Sequence, residues 1–285
     1  MEFSIVYLRM DPSKLFAELL VVIVLYKRRP EESTAYRSLL AAFGNFGAIP
    51  EIFIYDNSPA PCRVDGAIAY VHDAQNNGVS KAYNAAVAYG SSRNKKWMAL
   101  LDQDTTVHAR LFEKWAEARA TSPAAVAFVP IIRDRSGIVS PFRFSAARGR
   151  RLKNVKGSFP LSTYRFINSG LFIQRDAFIA AGGYDERLPL DFSDIAFGEK
   201  LMRVTDRFIV LDTSLIHHLS SADNAPLGEA LTRFTYFNRG AMLMGKQSDR
   251  PYAFFLHRFL RAIRLSLRYK NGTFIGIFLR HCLDG

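Results

Sequence analysis

Four carboxylates and a histidine pair are the residues whose types and spacing could do chemistry together. Asp102 and Asp104 stand one residue apart, with Gln103 between them. They directly follow the apolar run Trp97–Leu101 and precede Thr105 and Thr106. Two acids placed just beyond a buried strand can share a hard divalent cation, Mg2+ or Mn2+, and leave coordination positions for a diphosphate. The plainer reading is that Asp102 caps the next helix and Asp104 is solvated. Farther on, Asp191 and Asp194 lie in LDFSD, ahead of a helical stretch through Met202. Either could take a proton from an attacking hydroxyl, and Asp194 could equally cap that helix. His217 and His218 follow the strand-like Arg207–Asp212. A neutral imidazole is an acceptable extra ligand for manganese, although a histidine at such a junction is by default structural.

The elements that must position these residues alternate. Leu19–Tyr26 (LLVVIVLY) reads as a strand buried on both faces. Pro30, Glu31 and Glu32 open a helix with Tyr36, Leu39, Leu40 and Phe43 on its apolar face. Glu51–Tyr55 is a second strand ending at Asp56-Asn57-Ser58, and Ala67–Val71 is a third. Gln75–Gly90 turns at Gly78, uses Ser80 as a cap and continues as a small-residue helix from Ala82. The Trp97–Leu101 strand completes a fourth alternation, which predicts an α/β fold with a doubly wound, mainly parallel sheet flanked by helices. Ligands of such sheets sit beyond the carboxyl ends of the strands. Beyond it, His108–Arg119 reads as a helix, Ala125–Ile132 as a strand and Arg133–Gly157 as a basic surface loop. Phe166–Gln174 is strand-like, Arg175–Ala181 is a short helix closed by Gly182-Gly183, and Leu227–Met244 and Pro251–Tyr269 are helices.

Composition narrows the class. The chain has 285 residues, enough for a full hydrophobic core, and only two cysteines, Cys62 and Cys282. That leaves no disulfide framework and no CxxC zinc pattern, and suits a reducing compartment. The longest apolar run has eight residues, against roughly 20 for a membrane span, and the N-terminus lacks the basic region of a signal peptide. Net charge is +12. It is concentrated: residues 133–156 carry eight Lys/Arg against Asp134 alone, and residues 250–280 carry seven against no acid. A basic surface on a nearly neutral body points to anionic lipid, nucleic acid or a phosphorylated substrate. In Pro251–Tyr269, Phe255, Leu256, Phe259, Leu260, Ile263 and Leu267 share one face, and Arg258, Arg261, Arg264 and Arg268 the other. Such a helix can lie in a membrane interface, or its apolar face can pack on the core.

Taken in order, Asp56-Asn57-Ser58, the segment Asn76-x-Gly78-x-x-x-Ala82-x-Asn84, Asp102-Gln103-Asp104, and INSGLFIQRDAFIAAGGYDERLPLDFSDIAFGEKL followed by His217-His218-Leu219-Ser220 resemble the family 2 glycosyltransferases of GT-A fold. LDQDTT after the NxG segment looks most like the bacterial rhamnosyltransferase branch. The resemblance spans about residues 19 to 245. It implies an inverting, metal-dependent transferase that moves a sugar, by its branch L-rhamnose from dTDP-L-rhamnose, onto a hydroxyl of a lipid-linked bacterial surface glycan. Position by position, it implies that Asp56 contacts the nucleoside base, with Leu25 and Tyr26 lining the same pocket. Asp102 would touch the ribose or the cation, Asp104 would ligate Mn2+ or Mg2+, and His217, preferred over His218, would complete that site. Asp194 would be the catalytic base, with Asp191 just before it. Asn168, Ser169 and Gly170 would shape the sugar or acceptor site, and Asn76, Lys81 and Gln103 would join the nucleotide-sugar contacts. Two positions depart from the family: Lys27 stands where asparagine is common, and the helix after Asp194 has Lys200 in place of an arginine.

The implied organisation is a catalytic domain over residues 1–245, with a nucleotide-binding part at 19–105 and an acceptor part at 106–245. A basic amphipathic helical tail follows over 246–285, a membrane-interface or dimer contact. The expected place is the inner face of a bacterial cell membrane, peripheral and cytoplasmic, with an anionic lipid surface as a partner and no nucleic acid. Two rival readings remain. Leu101-Asp102-Gln103-Asp104-Thr105-Thr106 also fits the start of the haloacid dehalogenase-like phosphatases, in which the first Asp is a nucleophile; that motif follows the first strand there, not the fourth. The basic stretches could instead belong to a non-enzymatic anionic-polymer-binding protein. GxGxxG and GxxxxGK[ST] are both missing, which removes Rossmann dehydrogenase and P-loop readings.

Overall fold

The computed structural model describes residues 12–44, 46–62, 68–217 and 225–283, without the side chains of 12, 13, 217 and 283. A short helix α1 (Pro12–Ala17) leads into β1 (Leu19–Leu25), which is buried along its whole length. Its side chains alternate: Leu19, Val21, Ile23 and Leu25 enter one core cluster, and Leu20, Val22 and Val24 the other. A strand apolar on both faces is what a sheet covered by helices on both sides requires. A 3-10 turn at Pro30–Glu32 and helix α2 (Thr34–Gly44) follow, then β2 (Glu51–Asp56) and β3 (Ala69–His72). Helix α3 (Gly78–Ser92) returns to β4 (Trp97–Asp102), and a two-residue strand β5 (Thr105–Thr106) precedes α4 (Ala109–Thr121).

The second half of the sheet is built differently. Strands β6 (Ala127–Asp134) and β7 (Gly137–Ser140) form a hairpin. Then come β8 (Phe142–Ser145), β9 (Arg148–Arg151), β10 (Gly157–Pro160) and β11 (Tyr164–Arg165). Next are β12 (Leu171–Gln174), α5 (Arg175–Ala180), α6 (Ser193–Leu201) and the long β13 (Arg207–His217). Helices α7 (Leu227–Gln247), α8 (Pro251–Tyr269) and α9 (Thr273–Leu283) close the chain. The main sheet runs β10-β13-β6-β12-β4-β1-β2-β3, and β11-β8-β9 form a second, three-stranded sheet.

The parallel order predicted from the alternation holds for β3-β2-β1-β4. The other half is mixed: β12 enters antiparallel between β4 and β6, while β13 is parallel to β6. The chain reaches β12 from β11 without a crossover helix, and only a parallel neighbour needs one. The stretch 133–157, read from sequence as a loop, is instead strands from the end of β6 to the start of β10. Short strands carrying exposed arginines have little apolar alternation, so periodicity misses them. Arg151 donates both guanidinium nitrogens to Asp134, at 2.8 and 2.7 Å, and holds the Asp134 carboxyl well below its usual range. Ser80 lies inside α3 and does not cap it; Asp73 instead holds the turn before the helix, accepting from Asn77 N at 3.3 Å and from the Asn77 side-chain amide at 2.9 Å.

Helix α3 carries the contact that joins the two halves. Gly78 has φ of +88°, and a Cβ there would lie 2.1 Å from Pro189 O. Val79 N donates to Pro189 O at 2.8 Å, Ser80 Oγ to Leu188 O at 2.5 Å, and the Asn84 amide to Tyr184 O at 3.1 Å. The segment leading to Asp191 and Asp194 is therefore pinned to the start of α3. The boundary placed after residue 245 falls within α7. Helices α7, α8 and α9 share a third cluster with Leu188, Phe192 and Ile195, among them Phe234, Phe254, Phe274 and Phe278.

Gly78→Ala should lower unfolding free energy by about 2 kcal/mol or more, because it adds both a strained φ and a clash with backbone. Gly276→Ala, where nothing lies within 4 Å of the added carbon, should be neutral or stabilising. Denaturant melts of both variants check the contrast, and equal melts would remove the close approach as a constraint.

Candidate active site

The carboxyl ends of β1, β2 and β4 lie side by side, with Leu25 opposite Asp56 and Val24 opposite Asp102. Two groups of predicted residues collect there. In the first, Asp56 is fully buried and accepts from Tyr70 Oη at 2.6 Å, Ser58 N at 2.9 Å and Cys62 N at 3.2 Å. Burial pushes its pKa up, but the hydrogen bonds from Ser58, Tyr70 and Cys62 outweigh this and keep it below the ordinary value. Three of its roughly four lone-pair positions are engaged. Leu25 is buried and its carbonyl accepts from Asn57 N at 2.8 Å, while Tyr26 is exposed beside it. Gln103 ties this corner together: its side-chain oxygen accepts from Tyr26 N at 2.9 Å, and its carbonyl accepts from Ser33 Oγ at 2.9 Å and Ala35 N at 3.1 Å.

Asn76 and Lys81 connect to that corner through Asp73, whose N–H donates to Asp56 O at 2.8 Å and whose carbonyl accepts from Asn76 N at 3.0 Å. Asn76 supplies a left-handed turn residue with φ of 51°. Lys81 pairs with Asp73 at 3.7 Å while its side chain is largely exposed. Asp73 was not singled out by the sequence; Tyr55 Oη and Asn77 both donate to it, so it organises the turn that presents α3.

The second group surrounds a cavity of about 470 Å³. Asp102, Asn168, Asp191 and Asp194 all line it, with Phe142 and Phe144 of β8, Arg151 of β9, and Phe237, His257 and Arg261 of α7 and α8. Asn168 is held in place by Tyr184 Oη, which donates to Asn168 Oδ1 at 2.6 Å. Ser169 and Gly170 play other parts. Ser169 is buried behind the Asp102 turn, where its Oγ accepts from Asp102 N at 3.2 Å and bonds Thr105 Oγ1. Gly170 donates to Leu100 O at 2.7 Å, and a Cβ there would strike Pro130 at 2.4 Å. These two position the Asp102 turn, and only Asn168 of the three faces the cavity.

Asp194 lies in the first turn of α6, part-open at the cavity wall, and accepts from Ile195 N at 2.8 Å. Burial pushes its pKa up to about 7 against that hydrogen bond, and the neighbouring Asp191 and Asp102 carboxylates push the same way. Burial also raises Asp191, against the pull of Arg261 and Arg233. Asp191 Oδ2 is buried with no hydrogen-bond partner. Phe192, between the two acids, has φ of 68°, a costly conformation for an aromatic residue that the packing of Gly240 against Asp191 O helps hold. Lys200 faces away: its ammonium donates to Gly183 O at 2.9 Å and Gly182 O at 3.2 Å, so it does not substitute for an arginine at the cavity.

Asp104 follows in the turn after β4. His217 ends β13, with its backbone opposite Thr105, the residue after Asp104. Its side chain, and all of His218, Leu219 and Ser220, lie outside the described residues. Among the described residues no three His, Cys, Asp or Glu side chains form a metal cluster. The carboxylates of Asp102 and Asp104 offer hard oxygen donors to Mg2+ or Mn2+, and the strand register brings His217 to the same turn, so the donor chemistry fits such an ion.

A family model described as glycosyl transferase family 2 matches residues 20–178, more than half of the chain. The chain belongs to that family. Among solved structures, the glycosyltransferase is similar to residues 1–349 of S. aureus TarS, at 12% identity and a TM-score of 0.50 over 94% of this chain and 92% of that one. It also matches GalNAc-T7 solved with UDP, GalNAc and Mn2+, at 16% identity and a TM-score of 0.49, covering 70% of this chain but 43% of that chain. S. aureus TarS 1–349 in complex with UDP matches at 14% identity and a TM-score of 0.48, over 84% of this chain and 75% of that one. No curated protein matches. The fold of the transferase is thus GT-A, with a mixed sheet and a helical C-terminal region.

The sequence missed Tyr83, Tyr184, His257, Arg233 and Arg261 as neighbours of the acids. Tyr83 Oη makes a 3.5 Å contact with Asp102 Oδ1 from within α3, and Arg261 reaches the cavity from α8, 67 positions after Asp194. Helical register could have placed Tyr83; nothing local connects α8 to Asp194.

Because the folded pKa of Asp194 is raised, the native state binds more protons than the unfolded state between about pH 4 and pH 7. Stability contributed at this group therefore falls as pH rises through that window and stays low above it. Asp194→Asn should be more stable than the parent by about 1 kcal/mol or more at pH 8 and close to it at pH 4. Denaturant melts at the two pH values check the sign.

Proposed function

We propose that this glycosyltransferase moves a sugar from a nucleoside diphosphate donor to a hydroxyl of an acceptor held in the Asp102–Asp194 cavity, with inversion at the anomeric carbon. The observation that carries the reading is the shared cavity wall: Asp102, from the strand end where donor diphosphates are bound in such sheets, and Asp194, a carboxylate titrating near neutrality, face the same 470 Å³ space. A carboxylate with a pKa near 7 accepts a proton readily at physiological pH. Asp194 takes the hydroxyl proton as the oxygen attacks, and Asp191, buried and unpartnered at one oxygen, raises the basicity of Asp194 by its proximity. Asn168, locked by Tyr184, orients the sugar or the acceptor. Asp56, Leu25 and Tyr26 receive the base and ribose, with Gln103 positioning Tyr26.

Asp104 and Asp102, with His217, would hold Mn2+ or Mg2+, which when bound supplies positive charge against the departing diphosphate. The branch resemblance makes dTDP-L-rhamnose the first donor to try and a lipid-linked surface glycan the acceptor class. A peripheral place on an anionic bilayer is supported by α8, where Tyr252, Phe255, Leu256, Phe259, Leu260 and Leu267 are exposed while Phe254, Arg258 and Ala262 are buried. No helix among the described residues is long and apolar enough to cross a membrane. The phosphatase reading loses support because the DxD follows the fourth strand of a family 2 domain.

A panel of nucleotide sugars, each with Mn2+ or Mg2+, should give diphosphate release for at least one donor. Asp104→Ala should reduce metal-dependent turnover by about a thousandfold. Asp194→Asn should remove turnover while nucleotide affinity stays within about twofold of the parent. Retained turnover in Asp194→Asn would falsify the base assignment. For the membrane surface, Leu256→Glu/Leu267→Glu should weaken sedimentation with phosphatidylglycerol vesicles about tenfold or more. Both residues are exposed, so the change leaves the core intact; unchanged sedimentation would exclude this face as the contact.

A further inference from the structure

A second concavity of about 380 Å³ adjoins the catalytic cavity, and His257 and Arg261 line both. Its polar wall is Arg148 of β9 with His257, Arg261, Arg264 and Arg268 of α8; the remaining lining residues are Leu260 and Leu265, with no carboxylate. Five basic side chains converge on this concavity, and no carboxylate is in its lining. Burial pushes the His257 pKa down, and Arg148 and Arg261 lower it further; burial also lowers Arg261, where the pull of Asp191 from the neighbouring cavity is opposed by Arg233 and Arg264. His257 Nδ1 is buried without a hydrogen-bond partner. Groups that repel one another across an open concavity are stabilised by an anion placed between them. Guanidinium groups are suited to phosphate oxygens because they donate in pairs.

The position says which anion. The pocket shares His257 and Arg261 with the lining of the cavity that holds Asp194, so a group bound there lies within reach of an acceptor whose hydroxyl faces that acid. It also opens beside Leu260, part of the exposed apolar face of α8. We infer that the Arg148–Arg264–Arg268 pocket is an acceptor subsite for a phosphate group, so that the acceptor carries a phosphodiester or diphosphate close to its reacting hydroxyl. The inference rests on the transferase reading and adds an acceptor chemistry to it.

Calorimetric titration of the full chain with inorganic phosphate, in EDTA and without donor, tests the site apart from catalysis. The parent should bind saturably, and Arg148→Ala/Arg264→Ala should bind about tenfold more weakly. Arg148→Lys/Arg264→Lys should recover part of that loss. Both positions are exposed, so the changes spare the core. Absence of saturable binding by the parent, or equal binding by the alanine variant, overturns the subsite. Sedimentation with phosphatidylglycerol vesicles distinguishes the source of the phosphate. Under the inference the alanine variant sediments like the parent, whereas loss of vesicle and phosphate binding together would assign the pocket to a lipid headgroup and overturn the acceptor assignment. The thermal shift given by a panel of nucleoside diphosphates with Mn2+, dTDP and UDP among them, is read separately: its absence for every member alongside intact phosphate binding would sink the transferase reading and leave the anion site standing, so the two failures are distinguishable.

Discussion

The approach of helix α3 to the Leu188–Pro189 carbonyls is the constraint on which the site depends. The residues of the DxD turn belong to the parallel half of the sheet, and Asp191 and Asp194 belong to a segment nearly ninety positions later. Val79, Ser80 and Asn84 bind the backbone of that later segment directly, and only a glycine at 78 allows the contact. A hydroxyl proton and a departing diphosphate must be handled within a few ångströms, so a small loosening at this contact would separate the acids that share the cavity.

What the contact brings together is electrostatically unfavourable. Asp102, Asp191 and Asp194 face one cavity, and the charges of Asp191 and Asp102 both raise the Asp194 pKa. Asp56, by contrast, stays below its ordinary pKa, because hydrogen bonds from Ser58, Tyr70 and Cys62 to its charged form outweigh desolvation. At Asp194 desolvation, with the like charges of Asp191 and Asp102, outweighs the backbone N–H groups that oppose it. A group kept poised in this way is where proton transfer is expected.

Helix α8 departs from the usual amphipathic arrangement by burying an arginine and exposing several large apolar side chains. Helix α8 buries Arg258, which donates to Asn238 Oδ1 at 2.7 Å and lies over the Phe278 ring, and it turns Arg261 into the cavity over the Phe237 ring. Phe254 enters the core, while Tyr252, Leu256, Leu260 and Leu267 are exposed. Of the two alternatives open for this apolar face, packing on the core holds where Phe255 and Phe259 meet the Phe278 ring, at 5.3 and 5.5 Å between centroids; Leu256, Leu260 and Leu267 are left exposed. The tail accordingly shares the cavity with the acids, adding His257 and Arg261 to its lining.

Local pattern was sufficient wherever the determining interaction is short in sequence. The all-apolar β1, the βα alternation through β4, the glycine turn at 78 and the DxD at a strand end follow from side-chain periodicity and backbone sterics, which act within a few residues. The identities of the acids that meet were legible in the same way, through ordered motifs. Three things were decided only by tertiary contacts. Strands β7 to β9 form because they pair with β6 and with one another, not because of their own alternation. Ser169 and Gly170 became supports, and Asn168 a lining residue, because a neighbouring strand occupies the space on one side of them. The role of Arg261 and His257 was hidden because a helix chooses which face it buries by what lies opposite, and that partner is set by the whole chain's packing, not by the helix sequence.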